Sequence, residues 1–84
     1  MAVTVKFFAS VREAVGASSE TLELPASVTT VGQLRAHLAA RGDSWSTALG
    51  SPALRMACNQ IMCGADSAIA DGAEVAFFPP VTGG

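Results

Sequence analysis

Apolar and polar residues alternate with a period of two along several short stretches of this chain, which predicts β-strands. The clear cases are residues 3–8, 20–25 and 74–79, and the weaker ones are residues 55–60 and 61–63. The inward-facing positions of the clear strands are Val3, Val5, Phe7, Leu22, Leu24, Val75 and Phe77. The alternation therefore predicts a sheet with one buried face.

The longest helical pattern covers residues 30–42. Thr30 and Gln33 have the spacing of a capping box at its start, and Arg41-Gly42 ends it. Its apolar stripe consists of Val31, Leu34 and Leu38. This segment is the main helix of the predicted fold.

Two further helical segments are short. Ser10 and Glu13 have capping-box spacing, and Gly16 can end that helix in a left-handed conformation. Trp45 and Leu49 are four residues apart, which suits a helical turn whose side chains cap the core.

The order of elements is strand, strand, helix, strand, short strand, strand. It predicts an α+β fold in which a small mixed sheet has one main helix packed on one face and its other face open. The first and last strands are expected to lie parallel at the centre of the sheet. Phe8 and Phe78 fall on outward positions late in these two strands. Because leaving such a ring in water costs about 2 kcal/mol, we expect a partner surface there.

Composition and charge exclude several classes of protein. Half of the 84 residues are apolar, 14% are charged and the net charge is −2, so the chain is not of the disordered type. Five cations are too few for the basic patch that nucleic acids require, and we expect no nucleic-acid partner. The chain has no apolar run near 18 residues and no apolar signal-peptide segment, so we expect no membrane partner and a cytoplasmic location.

Metal and thiol chemistry have little support in the sequence. Cys58 and Cys63 are the only cysteines and His37 is the only histidine, whereas a structural zinc site takes four ligands. We expect no metal site, and we expect both cysteines to be reduced, partly buried thiols. His37 falls beside the apolar stripe of the main helix and is expected to be solvated.

The last eight residues, Phe77-Phe78-Pro79-Pro80-Val81-Thr82-Gly83-Gly84, are the most informative stretch. Two prolines end the last strand because proline has no N–H for the ladder, and two glycines can pass through a narrow channel. We therefore predict one domain over residues 1–78 and a flexible, extended tail over residues 79–84. The tail would present the carboxylate of Gly84.

These C-terminal residues, with Asp71-Gly72-Ala73-Glu74-Val75-Ala76 before them and Val5-Lys6-Phe7-Phe8-Ala9 near the N-terminus, resemble the sulfur-carrier small subunits of molybdopterin synthase. That family has the ubiquitin-like β-grasp fold, and the resemblance spans the whole chain. Gly-Gly alone is shared with other sulfur carriers and with ubiquitin-like modifiers, but Phe-Phe-Pro-Pro-Val-Thr-Gly-Gly is more restrictive. The chain departs from the family pattern at Met56, Cys58, Met62, Cys63 and Ala73.

The resemblance implies a function in molybdenum cofactor biosynthesis. An adenylyltransferase related to the ubiquitin activators would use ATP to adenylate Gly84, and a sulfur donor would displace AMP to leave a C-terminal thiocarboxylate. The thiocarboxylate would then donate its sulfur to the pyranopterin precursor inside molybdopterin synthase. By this resemblance the chain is not catalytic alone and binds no cofactor stably.

The implied partners are this adenylyltransferase and the large subunit of the synthase, the latter in a heterotetramer of two large and two small subunits. The tail residues entering partner active sites would be Pro79, Pro80, Val81, Thr82 and Gly83. The hydrophobic interface residues would be Phe8, Met62 and Phe78.

Three alternatives stay open. One is a sulfur carrier of thiamine or cysteine synthesis, and another is a ubiquitin-like protein modifier, for which Lys6 would be the only lysine available for chains. The third is an interaction module that uses the open sheet face and does not need the tail.

Overall fold

The computed structural model describes residues 1–80, which form five strands and three helices. In chain order these are β1 (Ala2–Phe7), α1 (Ala9–Val15), β2 (Ser19–Glu23), α2 (Val31–Ala39), α3 (Asp43–Leu49), β3 (Arg55–Cys58), β4 (Ile61–Cys63) and β5 (Glu74–Phe78). The predicted tail residues Val81, Thr82, Gly83 and Gly84 lie outside the described residues.

The five strands form one sheet in the order β2-β1-β5-β3-β4. The central strands β1 and β5 are parallel, and all other neighbours are antiparallel. β2 and β4 are the two edges of this sheet. The predicted α+β, β-grasp arrangement, with the first and last strands parallel at the centre, is confirmed.

One face of the sheet packs against the helices. The core cluster joins inward strand residues with apolar residues of all three helices, and its most buried members are Val3, Val5, Phe7, Val31, Leu34, Leu38, Leu49, Val75 and Phe77. These are the positions that the period-two and helical patterns select. α3 packs between α1 and α2, so three helices, rather than the one main helix expected, cover this face.

The start of α2 is as predicted, and its end is not. The Thr30 hydroxyl oxygen accepts a hydrogen bond from the backbone N–H of Gln33 at 3.2 Å. The Gln33 side-chain oxygen accepts one from the backbone N–H of Thr30 at 3.1 Å, which completes a capping box. The helix ends at Ala39, before the predicted Arg41-Gly42. Gly42 instead precedes α3 as its N-cap, because α3 begins at the next residue.

The predicted capping box of α1 is wrong. The N-cap is Phe8, which lies just beyond β1 and makes no side-chain capping bond, so Ser10 is already inside the helix. The Phe8 amide donates to the Phe77 carbonyl oxygen at 3.2 Å, which extends the pairing of the central strands by one residue and moves the helix start. Gly16 ends α1 in the left-handed region, with φ of 78°, as predicted.

Trp45 lies over the core as expected, on a helix of two turns instead of a single turn. Its ring meets Phe7 edge-on, with centroids 5.5 Å apart and planes inclined by 74°. Leu49, four residues later, is buried in the core. The spacing of Trp45 and Leu49 correctly predicted which face of α3 points inward.

Candidate functional site

The sheet face opposite the helices, called the open face below, is defined by the strand registers. Residues paired across neighbouring strands share a face, so the partners of one outward residue identify the others. By this rule the open face contains, on the strands from β1 across to β4, Thr4, Lys6, Glu74, Ala76, Phe78, Arg55, Ala57 and Met62. Phe8, which has an extended backbone after the inward Phe7, also points to this face.

Phe8 and Phe78 lie side by side where the two central strands end. Phe7 pairs with Phe77 in the parallel register, and the hydrogen bond from Phe8 to Phe77 continues it. The Phe8 side chain is 45% exposed, whereas Phe78 is half-buried. Both aromatic residues therefore face outward as predicted, but Phe78 is less accessible than its outward position suggested.

A row of small residues crosses the middle of the open face. Ala76 pairs with Ala57, and Ala57 pairs with Met62 on the edge strand. Met62 is 61% exposed, while Ala57 is only 8% exposed although it is outside the core cluster. This part of the face is flat and apolar, which is the kind of surface that a protein partner covers.

The charged residues of the open face are Lys6 on β1, Glu74 on β5 and Arg55 on β3. Lys6 Nζ lies 3.4 Å from Glu74 Oε1 across the central strand pair. Arg55 is exposed and is the register partner of Phe78. The open face therefore has an apolar part, formed by Phe8, Phe78, Ala76, Ala57 and Met62, which adjoins Lys6 and Glu74 on one side and Arg55 beside Phe78.

The segment leading into the tail starts from the most buried part of the sheet. Phe77 is fully buried and stacks on Phe7, with ring centroids 6.5 Å apart. Phe78, Pro79 and Pro80 are each half-buried. The chain thus leaves the core beside Phe8, and the predicted tail residues from Val81 onward lie outside the described part of the chain.

Ile61 is an exposed apolar residue that the sequence pattern did not indicate. It is the most exposed large hydrophobic residue of those described, at 72%, and it lies on β4 facing the side opposite to Met62. The available signal was a three-residue edge strand without any charge. Both faces of this edge strand are therefore apolar and accessible.

Glu20 and Arg41 form a second polar cluster, on the helix side of the sheet. Arg41 Nη1 and Nη2 donate to the two carboxylate oxygens of Glu20 at 2.8 and 2.6 Å, and the guanidinium carbon lies 4.7 Å from the Trp45 ring centroid. The hydrogen bond from Arg41 holds the pKa of Glu20 below its usual value of 4.5. This cluster is remote from the open face and is structural.

The groups suited to thiol, acid–base or metal chemistry are scattered. Cys58 and Cys63 are free and half-buried, and burial raises the pKa of the Cys63 thiol, which favours its neutral form. His37 is exposed, as expected. Within residues 1–80 no three metal-ligating side chains come together, and none of the helices there has the length and apolar character needed to cross a membrane.

Comparison with known proteins identifies the family of this chain. Residues 5–84 match the ThiS family. The chain is 49% identical over 82 residues to the molybdopterin synthase sulfur carrier subunit of Escherichia coli (98% of this chain, 99% of the relative) and 43% identical to that of Haemophilus influenzae over the same extents. Among solved structures, it resembles a chain in the complex of subunits 1 and 2 of the molybdopterin-converting factor from Helicobacter pylori, with 25% identity, full coverage of both chains and a TM-score of 0.70.

Proposed function

Because the chain belongs to the ThiS family, we propose that it is the sulfur carrier of molybdopterin synthesis, that is, the small subunit of molybdopterin synthase. The observation that supports this most strongly is 49% identity to a sulfur carrier subunit across 98% of the chain. The name of that relative describes a carrier that supplies sulfur. The chain accordingly acts as a co-substrate, and the catalytic groups are on its partners.

The proposed reactive group is the carboxylate of Gly84. A carboxylate is a poor electrophile, so an adenylyltransferase first transfers AMP from ATP to it and releases pyrophosphate. The sulfur of a donor then attacks the acyl carbon and AMP leaves with the electron pair of the cleaved C–O bond. A thiol then attacks the donor side of the resulting acyl disulfide, forms a disulfide with the donor and leaves a thiocarboxylate on Gly84. When this sulfur is transferred to the pyranopterin precursor, water supplies the oxygen that restores the carboxylate.

The shape of the described domain suits this role. The residues after Phe78 follow the central strand β5, whose inward residues Val75 and Phe77 are fully buried, so their starting point is fixed by the core. Six residues from Pro79 to Gly84 can span at most about 20 Å. We propose that Pro79, Pro80, Val81, Thr82 and Gly83 occupy a channel of each partner in turn and deliver Gly84 to its active site.

The proposed docking surface is the apolar part of the open face, with Phe8, Met62 and Phe78 as contact residues. The large subunit of molybdopterin synthase is the partner, and the complex of subunits 1 and 2 from Helicobacter pylori supports this choice. The proposal includes a heterotetramer of two large and two small subunits, a second complex with the adenylyltransferase, and a cytoplasmic location where ATP is available. It includes no stably bound cofactor.

The test is the intact mass of the chain isolated from its native host. We expect a form in which one oxygen is replaced by sulfur, and we expect deletion of Gly84 to abolish both this form and molybdopterin production. The Gly84-deleted chain should still fold and bind the large subunit, because the proposed docking surface is unchanged. High-mass conjugates that disappear on deletion of Gly83 and Gly84, without any sulfur-containing form, would instead show a protein modifier.

A further inference from the structure

The two edges of the sheet differ in a way that the sulfur-carrier role does not explain. The β2 edge carries Glu20 and Glu23, which pair with Arg41 and the N-terminal ammonium group respectively. The β4 edge is formed by Ile61, Met62 and Cys63, and the surrounding residues 56–65 contain no charge at all. Soluble proteins usually protect an exposed edge strand with charges, proline or a covering segment. The β4 edge lacks such charges and prolines.

The hairpin register shows which backbone groups this edge offers. Asn59 and Gln60 form a two-residue turn with φ of 51° and 68°, the left-handed pair typical of a type I′ hairpin. The pair that closes this turn, Cys58 and Ile61, is a hydrogen-bonded pair. From there, hydrogen-bonded and non-hydrogen-bonded pairs alternate along the hairpin. The next pair, Ala57 and Met62, is not hydrogen-bonded, so the N–H and C=O of Met62 point away from β3.

The other backbone groups that point outward along this edge belong to Gln60 and Gly64, and they are not available for pairing with an added strand. The Gly64 amide donates to the Ser67 hydroxyl oxygen at 3.2 Å, and the Gly64 carbonyl oxygen accepts from the Ser67 amide at 3.1 Å. Gln60 is part of the turn. Met62 makes no backbone hydrogen bond to a loop or another element within residues 1–80. Its outward donor and acceptor are spaced for one residue of an added antiparallel strand.

We propose that an extended, uncharged segment of the large subunit pairs with the β4 edge at Met62, by strand addition; this inference rests on the proposed function. The Met62 side chain belongs to the apolar row of the open face, so the added segment is continuous with the proposed docking surface. Ile61 covers the other side of the same segment. Backbone hydrogen bonds at Met62 then fix the position of the partner, and the side chains on both faces of β4 exclude water from those bonds.

A second copy of this chain is the less suitable occupant. Pairing of two β4 edges would involve three residues from each copy, whereas a stable interface buries about 1,600 Å² in total. The proposed docking surface adds the apolar part of the open face to this edge, so the large subunit makes the larger contact. A concentration-dependent dimer of the isolated chain that disappears in Met62→Pro would overturn this assignment.

Hydrogen exchange on the assembled complex tests the inference directly. In the free protein the Met62 amide should exchange much faster than the amides of Ile61 and Cys63, which bond to β3. Binding of the large subunit should slow the exchange of Met62 by at least tenfold. Thr21 is the matched control because it occupies the same non-hydrogen-bonded position on the β2 edge, and its exchange should not change. An unchanged Met62 amide in a fully formed complex overturns the inference.

A pair of substitutions distinguishes the contribution of the Met62 backbone to binding from that of its side chain. Met62→Ala and Met62→Pro both remove the side chain, but only proline removes the outward N–H, and the ladder to β3 does not use that N–H. We expect Met62→Pro to bind the large subunit about five- to tenfold more weakly than Met62→Ala. Thr21→Pro and Thr21→Ala should bind equally. Equal affinities of the two Met62 variants, with both folded, contradict strand addition.

The proposed function and this inference can be disproved independently, because different measurements test them. The sulfur-containing mass form and molybdopterin production by the unaltered chain report on the function alone. A chain that forms both but shows no protection of Met62 remains a sulfur carrier that docks without strand addition.

Discussion

Phe7 and Phe77 are register partners in the two parallel central strands, and their rings stack in the middle of the core with centroids 6.5 Å apart and planes inclined by 17°. Since side chains alternate along a strand, burying this pair turns the following residues, Phe8 and Phe78, to the open face. The same register places both of them beside the point where the tail begins. One pairing thus sets the core, the proposed docking surface and the start of the tail.

Replacing Phe8 by aspartate should weaken binding to the large subunit at least tenfold while the free energy of unfolding falls by less than about 1 kcal/mol. The reason is that Phe8 is 45% exposed in the described structure and contributes little to the core. Titration calorimetry and urea unfolding measure the two effects. His37→Asp, at an exposed helix position on the other side of the sheet, is the control and should affect neither. Unaltered affinity of Phe8→Asp would remove Phe8 from the interface.

Replacing Phe77 by alanine should lower the free energy of unfolding by about 3–5 kcal/mol, because it opens a cavity at a fully buried position. That loss is a large fraction of the stability of a small domain. Urea unfolding followed by Trp45 fluorescence measures it. Phe78→Ala should lower the free energy of unfolding by clearly less, because Phe78 is half-buried. A larger loss of stability at residue 78 would show that its ring contributes more to the core than its exposure implies.

Replacing Gln60 by glycine should raise the free energy of unfolding by about 1 kcal/mol. Gln60 has φ of 68° in the hairpin turn, a conformation that costs a residue with a Cβ roughly 1–2 kcal/mol and costs glycine nothing. Thermal unfolding provides the comparison. Gln60→Ala removes the same side chain and keeps the Cβ, so it should give no gain; equal gains in both variants would show that the side chain, and not the backbone, is responsible.

Replacing Gly32 by alanine should lower the free energy of unfolding by about 1–2 kcal/mol, although alanine is the better helix former by roughly 1 kcal/mol. A Cβ at this position would lie 2.9 Å from both the Cβ and the carbonyl oxygen of Ala65. The Gly32 amide also donates to that carbonyl oxygen at 2.7 Å, so the loop cannot move away without losing the bond. Urea unfolding shows whether the substitution lowers or raises the free energy of unfolding. A stabilised variant would show that the loop around Ala65 yields easily.

The pair of Glu20 and Arg41 should make stability depend on pH in the acidic range. The folded pKa of Glu20 is lowered by its hydrogen bond from Arg41, so the unfolded chain binds the proton more readily. The contribution is therefore complete above about pH 4.5 and is lost as the pH falls through the lowered pKa. Because both side chains are about one-third exposed, we expect about 0.5–1 kcal/mol at low salt.

Unfolding of Glu20→Gln at several pH values measures this contribution. The difference in stability from the unaltered chain should be present at pH 7 and should shrink below pH 4. Glu13→Gln, at an exposed position on α1, is the matched control for the loss of one carboxylate. A difference that persists unchanged at acidic pH would show that Glu20 acts through packing against its neighbours.

Local sequence signals predicted most of the elements because they depend on short-range chemistry. The alternation of Val3, Val5 and Phe7 selected the buried face of β1, and Thr30 with Gln33 set the start of α2. Boundaries that depend on long-range bonds were predicted wrongly. The start of α1 follows from the bond between Phe8 and Phe77, which the sequence around Ser10 cannot show.

The chemical character of this protein could be inferred from its residue types and their order: half of the residues are apolar, few are charged, and the C-terminal stretch is specific enough to identify the family. The arrangement of the surface could be read only from the folded chain. Folding brings Phe8, Phe78 and Met62 to one face and leaves Phe78 half-buried. At the β4 edge it exposes the side chains of Ile61 and Met62 and leaves the backbone N–H and C=O of Met62 pointing outward. The physical reason is that exposure and free hydrogen-bonding groups depend on which strands become neighbours, and that is fixed by pairing between residues far apart in the chain.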